Sequence, residues 1–241
     1  MKIQRTTTFG VLLAACLAAA SAIAQPAPSL TPDDRTAIQS LMTQYAQALS
    51  ACRAEDFADL FVPGTGAFAS GFRGRMVGRD RLIALVQSER NCVSPSTKAA
   101  PARPGGATGP TTVLDITSSG IRGIATLGAT EYQDEYVKTP QGWRFASRTV
   151  ITGPEKAAGL DAAGIVAIQR LGGPQIADHY EPDQNGVQRL MTSGVKVTAS
   201  ADQVTGRAYL KDGSYDDQVY EKLAPGQWRV KSSTHVPPAT R

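Results

Sequence analysis

The sequence EYQDEYV places a carboxylate, Asp134, between two phenols, Tyr132 and Tyr136, at alternating positions. On a strand, residues two apart point to the same face, so these three groups would act together. If that face lines an apolar cavity, Asp134 is placed to take a proton as a general base, and a neighbouring phenol to stabilise the enolate that forms. The same spacing admits a plainer reading, in which Asp134 pairs with Arg148 across a hairpin while the tyrosines pack. No catalytic motif in the chain is complete. The chain has two histidines, His179 and His235, and no grouping that predicts a metal site. Asp56 reads as an acid in the first turn of a short helix.

Several elements would have to position this strand. Thr31-Pro32-Asp33-Asp34 opens a helix, with Thr31 as N-cap, Pro32 at the first position and two acids against the positive end of the dipole. Ile38, Leu41, Met42, Tyr45 and Leu49 then recur at helical spacing. A short helix over 54–61 buries Phe57, Leu60 and Phe61, and a third spans 79–91. Strands are expected at 67–70, 73–77, 113–116, 121–127, 131–137 and 143–151, the last two joined by a tight hairpin through Pro140 and Gly142. Residues 94–111, rich in proline and glycine, read as a mobile loop. A Gly- and Ala-rich linker over 153–164 precedes helical segments at 165–171 and 175–180.

A degenerate copy of GATEYQDEYVKTPQGWRF recurs near the C-terminus. Gly123, Ala125, Leu127, Tyr132 and Asp134 match Gly206, Ala208, Leu210, Tyr215 and Asp217 without a gap, at an offset of 83. Both tryptophans, Trp143 and Trp228, fall at the same place in the two hairpins. A repeated three-strand meander predicts that the second half reuses the sheet design of the first.

The N-terminus carries Lys2 and Arg5, an apolar run, and an Ala22-x-Ala24 site, which together read as a signal peptide over residues 1–24. A mature protein from Gln25 would be periplasmic or secreted, with no membrane insertion after cleavage. A lipobox-like Leu13-Ala14-Ala15-Cys16 offers the alternative of a lipoprotein anchored through Cys16. Without Lys2 and Arg5, 23 basic residues face 21 acidic ones. That balance, with no basic run, gives no support to nucleic-acid binding. The remaining pair, Cys52 and Cys92, predicts a disulfide in an oxidising compartment.

The order α-α-β-β-α-β-β-β-β, carried by IQSLMTQYAQALS, AEDFADLFVPG, VGRDRLIALV and EYQDEYVKTPQGWRFASR, resembles the SnoaL-like group of the nuclear transport factor 2 (NTF2-like) superfamily. The resemblance implies an α+β fold: a cone-like barrel of strongly bent antiparallel sheet on three helices, here over 25–152. Residues 153–241 would be a C-terminal extension with helices and a partial repeat of the meander. It also implies an apolar cavity, for which Tyr45, Phe57, Phe61, Tyr132, Tyr136 and Trp143 are the lining candidates. An apolar small molecule is the expected partner, no cofactor is implied, and a homodimer is the further assembly to consider. Enzymes of the group are isomerases, cyclases and dehydratases. Their dehydratase-type Asp at the end of the first helix is Ser50 here, and both histidines lie outside the matching region, which leaves Asp134 as the candidate base.

Overall fold

The computed structural model describes residues 30–93, 113–117, 120–127, 130–200 and 202–239. The segments read as signal peptide and as mobile loop lie outside these residues.

Helix α1 (Pro32–Ser50) begins as its sequence dictates. Thr31 and Asp34 form a reciprocal capping box, and Ile38, Leu41, Met42, Tyr45 and Ala48 form the buried face. Cys52 follows in the left-handed region at φ 54° and is bonded to Cys92, with 5.5 Å between the Cα atoms. Helix α2 (Ala54–Ala58) stops three residues short of the expected end. Beyond it the backbone runs alongside a strand, with Val62 N donating to Phe145 O and Phe145 N donating to Leu60 O. Strands β1 (Ala67–Ser70) and β2 (Gly74–Val77) form a hairpin. The expected 79–91 helix is divided into α3 (Arg79–Gln87) and α4 (Arg90–Val93), between which the Ser88 hydroxyl bonds back to Leu85 O.

Strands β3 (Val113–Thr117), β4 (Gly120–Leu127), β5 (Thr130–Thr139) and β6 (Gly142–Ile151) form an antiparallel run, and β6 pairs in parallel with β1. The sheet curves around α1, α2 and α3 without closing into a barrel, and the apolar core lies between them.

The second half departs further from the expected pattern. The supposed linker holds α5 (Gly153–Ala157) and α6 (Ala162–Leu171). Residues 175–180 are not helical, because Ile176 bridges to Leu210 and β7 (Asp178–Pro182) begins within that stretch. Six residues of apolar periodicity are too few to outweigh sheet pairing. Strand β8 (Gln188–Ser193) joins β7 to the first sheet through a bridge to β2. Strands β9 (Val195–Ala199), β10 (Val204–Tyr209), β11 (Tyr215–Ala224) and β12 (Gln227–Val236) make a four-stranded meander with its own core, which includes Ile165, Ile168, Val195, Val197 and Trp228. Buried Arg73 ties the halves, donating to Leu190 O and to Ser88 O.

The two meanders share a bulge, on β6 opposite Glu135/Tyr136 and on β12 opposite Val219/Tyr220. Their registers differ by one from the gap-free sequence match. Gly123 faces Asp134, whereas Gly206 faces Gln218, so Gln218 and not Asp217 occupies the position of Asp134. Tyr220 likewise corresponds to Tyr136. Asp134 is paired with Arg148, while Gln218 is paired with Ser233. The turn before β11 is longer than the one before β5, and the extra residue shifts every later position.

Candidate functional site

Burial on β5 alternates so that Tyr132, Asp134 and Tyr136 all face the interior, as their spacing predicts. On β6 the alternation breaks. Phe145 and Arg148 are three apart, which on a regular strand would send them to opposite faces. The bulge between them inserts one residue, and both point inward.

Asp134 and Arg148 are completely buried and make a two-pronged ion pair. Arg148 Nε donates to Asp134 Oδ1 at 2.8 Å and Nη2 to Oδ2 at 2.7 Å, while the Tyr136 hydroxyl donates to Oδ2 at 2.8 Å. The guanidinium lies against three rings, 4.1 Å from the centroid of Tyr45, 4.4 Å from Tyr132 and 4.3 Å from Phe145. Met42 Sδ touches its Nη2. The other terminal nitrogen, Nη1, is buried without a hydrogen-bond partner. Burial by itself would lower the guanidinium pKa, but the facing Asp134 carboxylate outweighs that and raises it, so Arg148 stays charged. Burial also pushes the Tyr45 phenol well above its ordinary value.

The structure brings most of the expected lining residues together. Tyr45 contacts Phe57 at 5.1 Å and Tyr132 at 5.7 Å between centroids, and Phe57 contacts Phe61 at 5.4 Å. Phe145 contacts both Phe61 and Tyr136. Trp143 plays a different part, with its indole Nε1 donating to Asp34 Oδ1 at 2.9 Å at the start of α1. Sequence reasoning missed Met42, Phe145 and the site role of Arg148. Phe145 follows the β6 alternation and was within reach of it, whereas the inward turn of Arg148 required the bulge.

As arranged, both oxygens of Asp134 accept hydrogen bonds from a cation and a phenol. With both oxygens engaged, this carboxylate holds the guanidinium in one orientation. Nη1 of the guanidinium is the donor this arrangement leaves unused. His179 and His235 lie elsewhere, each against an acid, Glu181 and Asp216. Among the described residues no group of three or more His, Cys, Asp or Glu is placed to hold a metal, and no helix is long and apolar enough to cross a membrane. Open grooves among the described residues include one of about 470 Å³ on the β9–β12 sheet and one of about 380 Å³ beside α2 and α3. Neither is lined by Asp134 or Arg148.

The SnoaL-like domain family matches residues 31–149. No curated protein matches the chain. Among solved structures, an NTF2-like protein with a cystatin-like fold from Novosphingobium aromaticivorans is 19% identical, covering 56% of this chain and 89% of its own, with a TM-score of 0.38. A protein from Catenulispora acidiphila is 18% identical over 52% of this chain and 94% of its own, with a TM-score of 0.40. A type 2 hexachlorocyclohexane dehydrochlorinase (LinA) is 14% identical over 50% of this chain and 86% of its own, with a TM-score of 0.36. The domain match spans the elements that build the Asp134–Arg148 interior, and by it residues 31–149 are a SnoaL-like domain.

Proposed function

We propose that this protein binds a small, mainly apolar molecule in the interior of its SnoaL-like domain, oriented by an acceptor group on the ligand that reaches Arg148. The supporting observation is the buried guanidinium, fixed by Asp134, walled by aromatic rings, and left with Nη1 unbonded. A buried ion pair is a poor device for stability alone, since apolar residues of similar volume often do as well or better. The second meander supports the same point, because Gln218 and Ser233 stand where Asp134 and Arg148 would be. The pair is therefore not a requirement of the hairpin.

The enzymatic alternative, an isomerase, cyclase or dehydratase with Asp134 as base, has less support because both carboxylate oxygens are already engaged. We also read the chain as exported after loss of residues 1–24 and periplasmic or secreted, with the Cys52–Cys92 bond as support. The meander β10–β12 with α6 reads as a trimmed repeat of β4–β6 with α1.

Native mass spectrometry of the purified protein tests the binding reading. The wild type should carry a non-covalent small-molecule adduct that Arg148→Met loses. The double variant Asp134→Leu/Arg148→Met, which removes both charges at once, serves as the folded control and should also be empty. An adduct retained by the folded double variant would overturn the assignment to Arg148.

A further inference from the structure

The groove beside α2 and α3 lies outside the aromatic interior. Its floor is apolar, formed by Ala58, Phe61, Val62, Pro63 and Leu82. Phe61 is also part of the interior cluster, so the groove shares a wall with the proposed ligand site without opening onto Arg148. Two arginines and one acid stand on its sides. Arg79 is committed to Asp59, with Nε 3.2 Å and Nη2 3.1 Å from Oδ1, and the two charges cancel. Arg144 has no such partner among the described residues, and its Nη1 donates only to the neighbouring carbonyl of Trp143 at 3.0 Å. The net charge of the groove is thus one positive guanidinium at the end of an apolar trough.

We propose that this groove is a second binding site, for a short amphiphilic carboxylate whose chain lies on Phe61, Val62 and Leu82 while its carboxylate pairs with Arg144. The charge complementarity comes from Arg144, whose planar guanidinium offers a carboxylate two parallel hydrogen bonds. The volume of about 380 Å³ is at the lower end of the range typical of small-molecule pockets. Arg144 takes this position because it alternates with buried Trp143 and Phe145 and so projects from the other face of β6.

Amide NMR of the full chain, titrated with octanoate and in parallel with 1-octanol, tests the site. Octanoate should shift the amides of Val62, Gln141 and Arg144 saturably, with octanol at least about tenfold weaker, the difference expected for one charge-assisted contact. Arg144→Gln should weaken octanoate by about the same factor and leave octanol unchanged. Gln141→Trp, at an exposed turn position, should fill the groove and abolish both. Equal binding of octanoate and octanol, full octanoate affinity in either variant, or shifts clustered around Tyr45 and Tyr132 would overturn the proposal. The last result would place the ligand in the interior and leave that reading standing. Loss of interior binding in Arg148→Met, in turn, leaves the groove untouched.

Discussion

At the scale of the residue, the fate of Arg148 is decided by what surrounds it. Its charge is retained because Asp134 is fixed opposite, and its aliphatic and planar surfaces are covered by Tyr45, Tyr132 and Phe145. Removing one partner of such a pair leaves an uncompensated buried charge, so Asp134→Ala should destabilise by about 3–5 kcal/mol in chemical denaturation. Asp134→Leu/Arg148→Met should recover most of that loss. Asp34 is the second residue with a clear electrostatic signature. Hydrogen bonds from Lys138, then Trp143 and Thr31, hold its carboxyl well below the usual range. A carboxylate depressed on folding contributes stability that is complete above its unfolded value, near 3.8, and is lost as pH falls from there through the folded value. Asp34→Asn should therefore lower the melting temperature at pH 7 and flatten its dependence on pH below about 4, as read by calorimetry across that range.

At the scale of the element, the informative comparison is between the two tryptophans. Trp143 bonds to Asp34, the third residue of α1, and the Trp228 indole lies beside Gly164, the third residue of α6. A Cβ at Gly164 would come within 2.4 Å of Trp228 Nε1, so that glycine is kept by close approach and not by flexibility. Each meander thus meets the first turn of a helix through one indole, which supports the repeat proposed above. Trp228→Ala should cost about 3–5 kcal/mol and raise hydrogen exchange across β9–β12 before it affects β4–β6. Uniform loss of protection through both meanders would instead mean that the two cores unfold as one.

At the scale of the whole molecule, the Cys52–Cys92 bond ties the end of α1 to α4 across 40 residues. For a loop of that length the chain-entropy account gives about 4 kcal/mol, so Cys52→Ser/Cys92→Ser should shift the denaturation midpoint accordingly. The export reading predicts a mature N-terminus at Gln25 in cell-envelope or secreted fractions, whereas a lipidated Cys16 would replace it with an anchored form. The C-terminal half is not a loose appendage. Strand β8 bridges to β2, Arg81 pairs with Asp178, and Val197 N donates to Gly71 O. Truncation after residue 152 should therefore expose the β2 edge and promote aggregation, measured by light scattering.

Much of this was written locally. The capping box at Thr31 and Asp34, the helical face from Ile38 to Tyr45, and the alternation of Tyr132, Asp134 and Tyr136 each depend on residues a few positions apart. Sequence could determine them because helix and strand periods are properties of the chain itself. The Asp134–Arg148 pairing was within reach for the same reason, both residues belonging to one hairpin. What tertiary structure decided was parity and register. One bulged residue on β6 turned Arg148 inward with Phe145, and one extra turn residue before β11 put Gln218, not Asp217, in the place of Asp134. Strands β8 and β9 were hidden because they pair with β2 and β10, β7 because it depends on β8, and Ile176 was drawn out of a helical reading by Leu210. Short segments carry too little local preference to resist such pairing, so where they go is settled by the partner strand and the core they help to close.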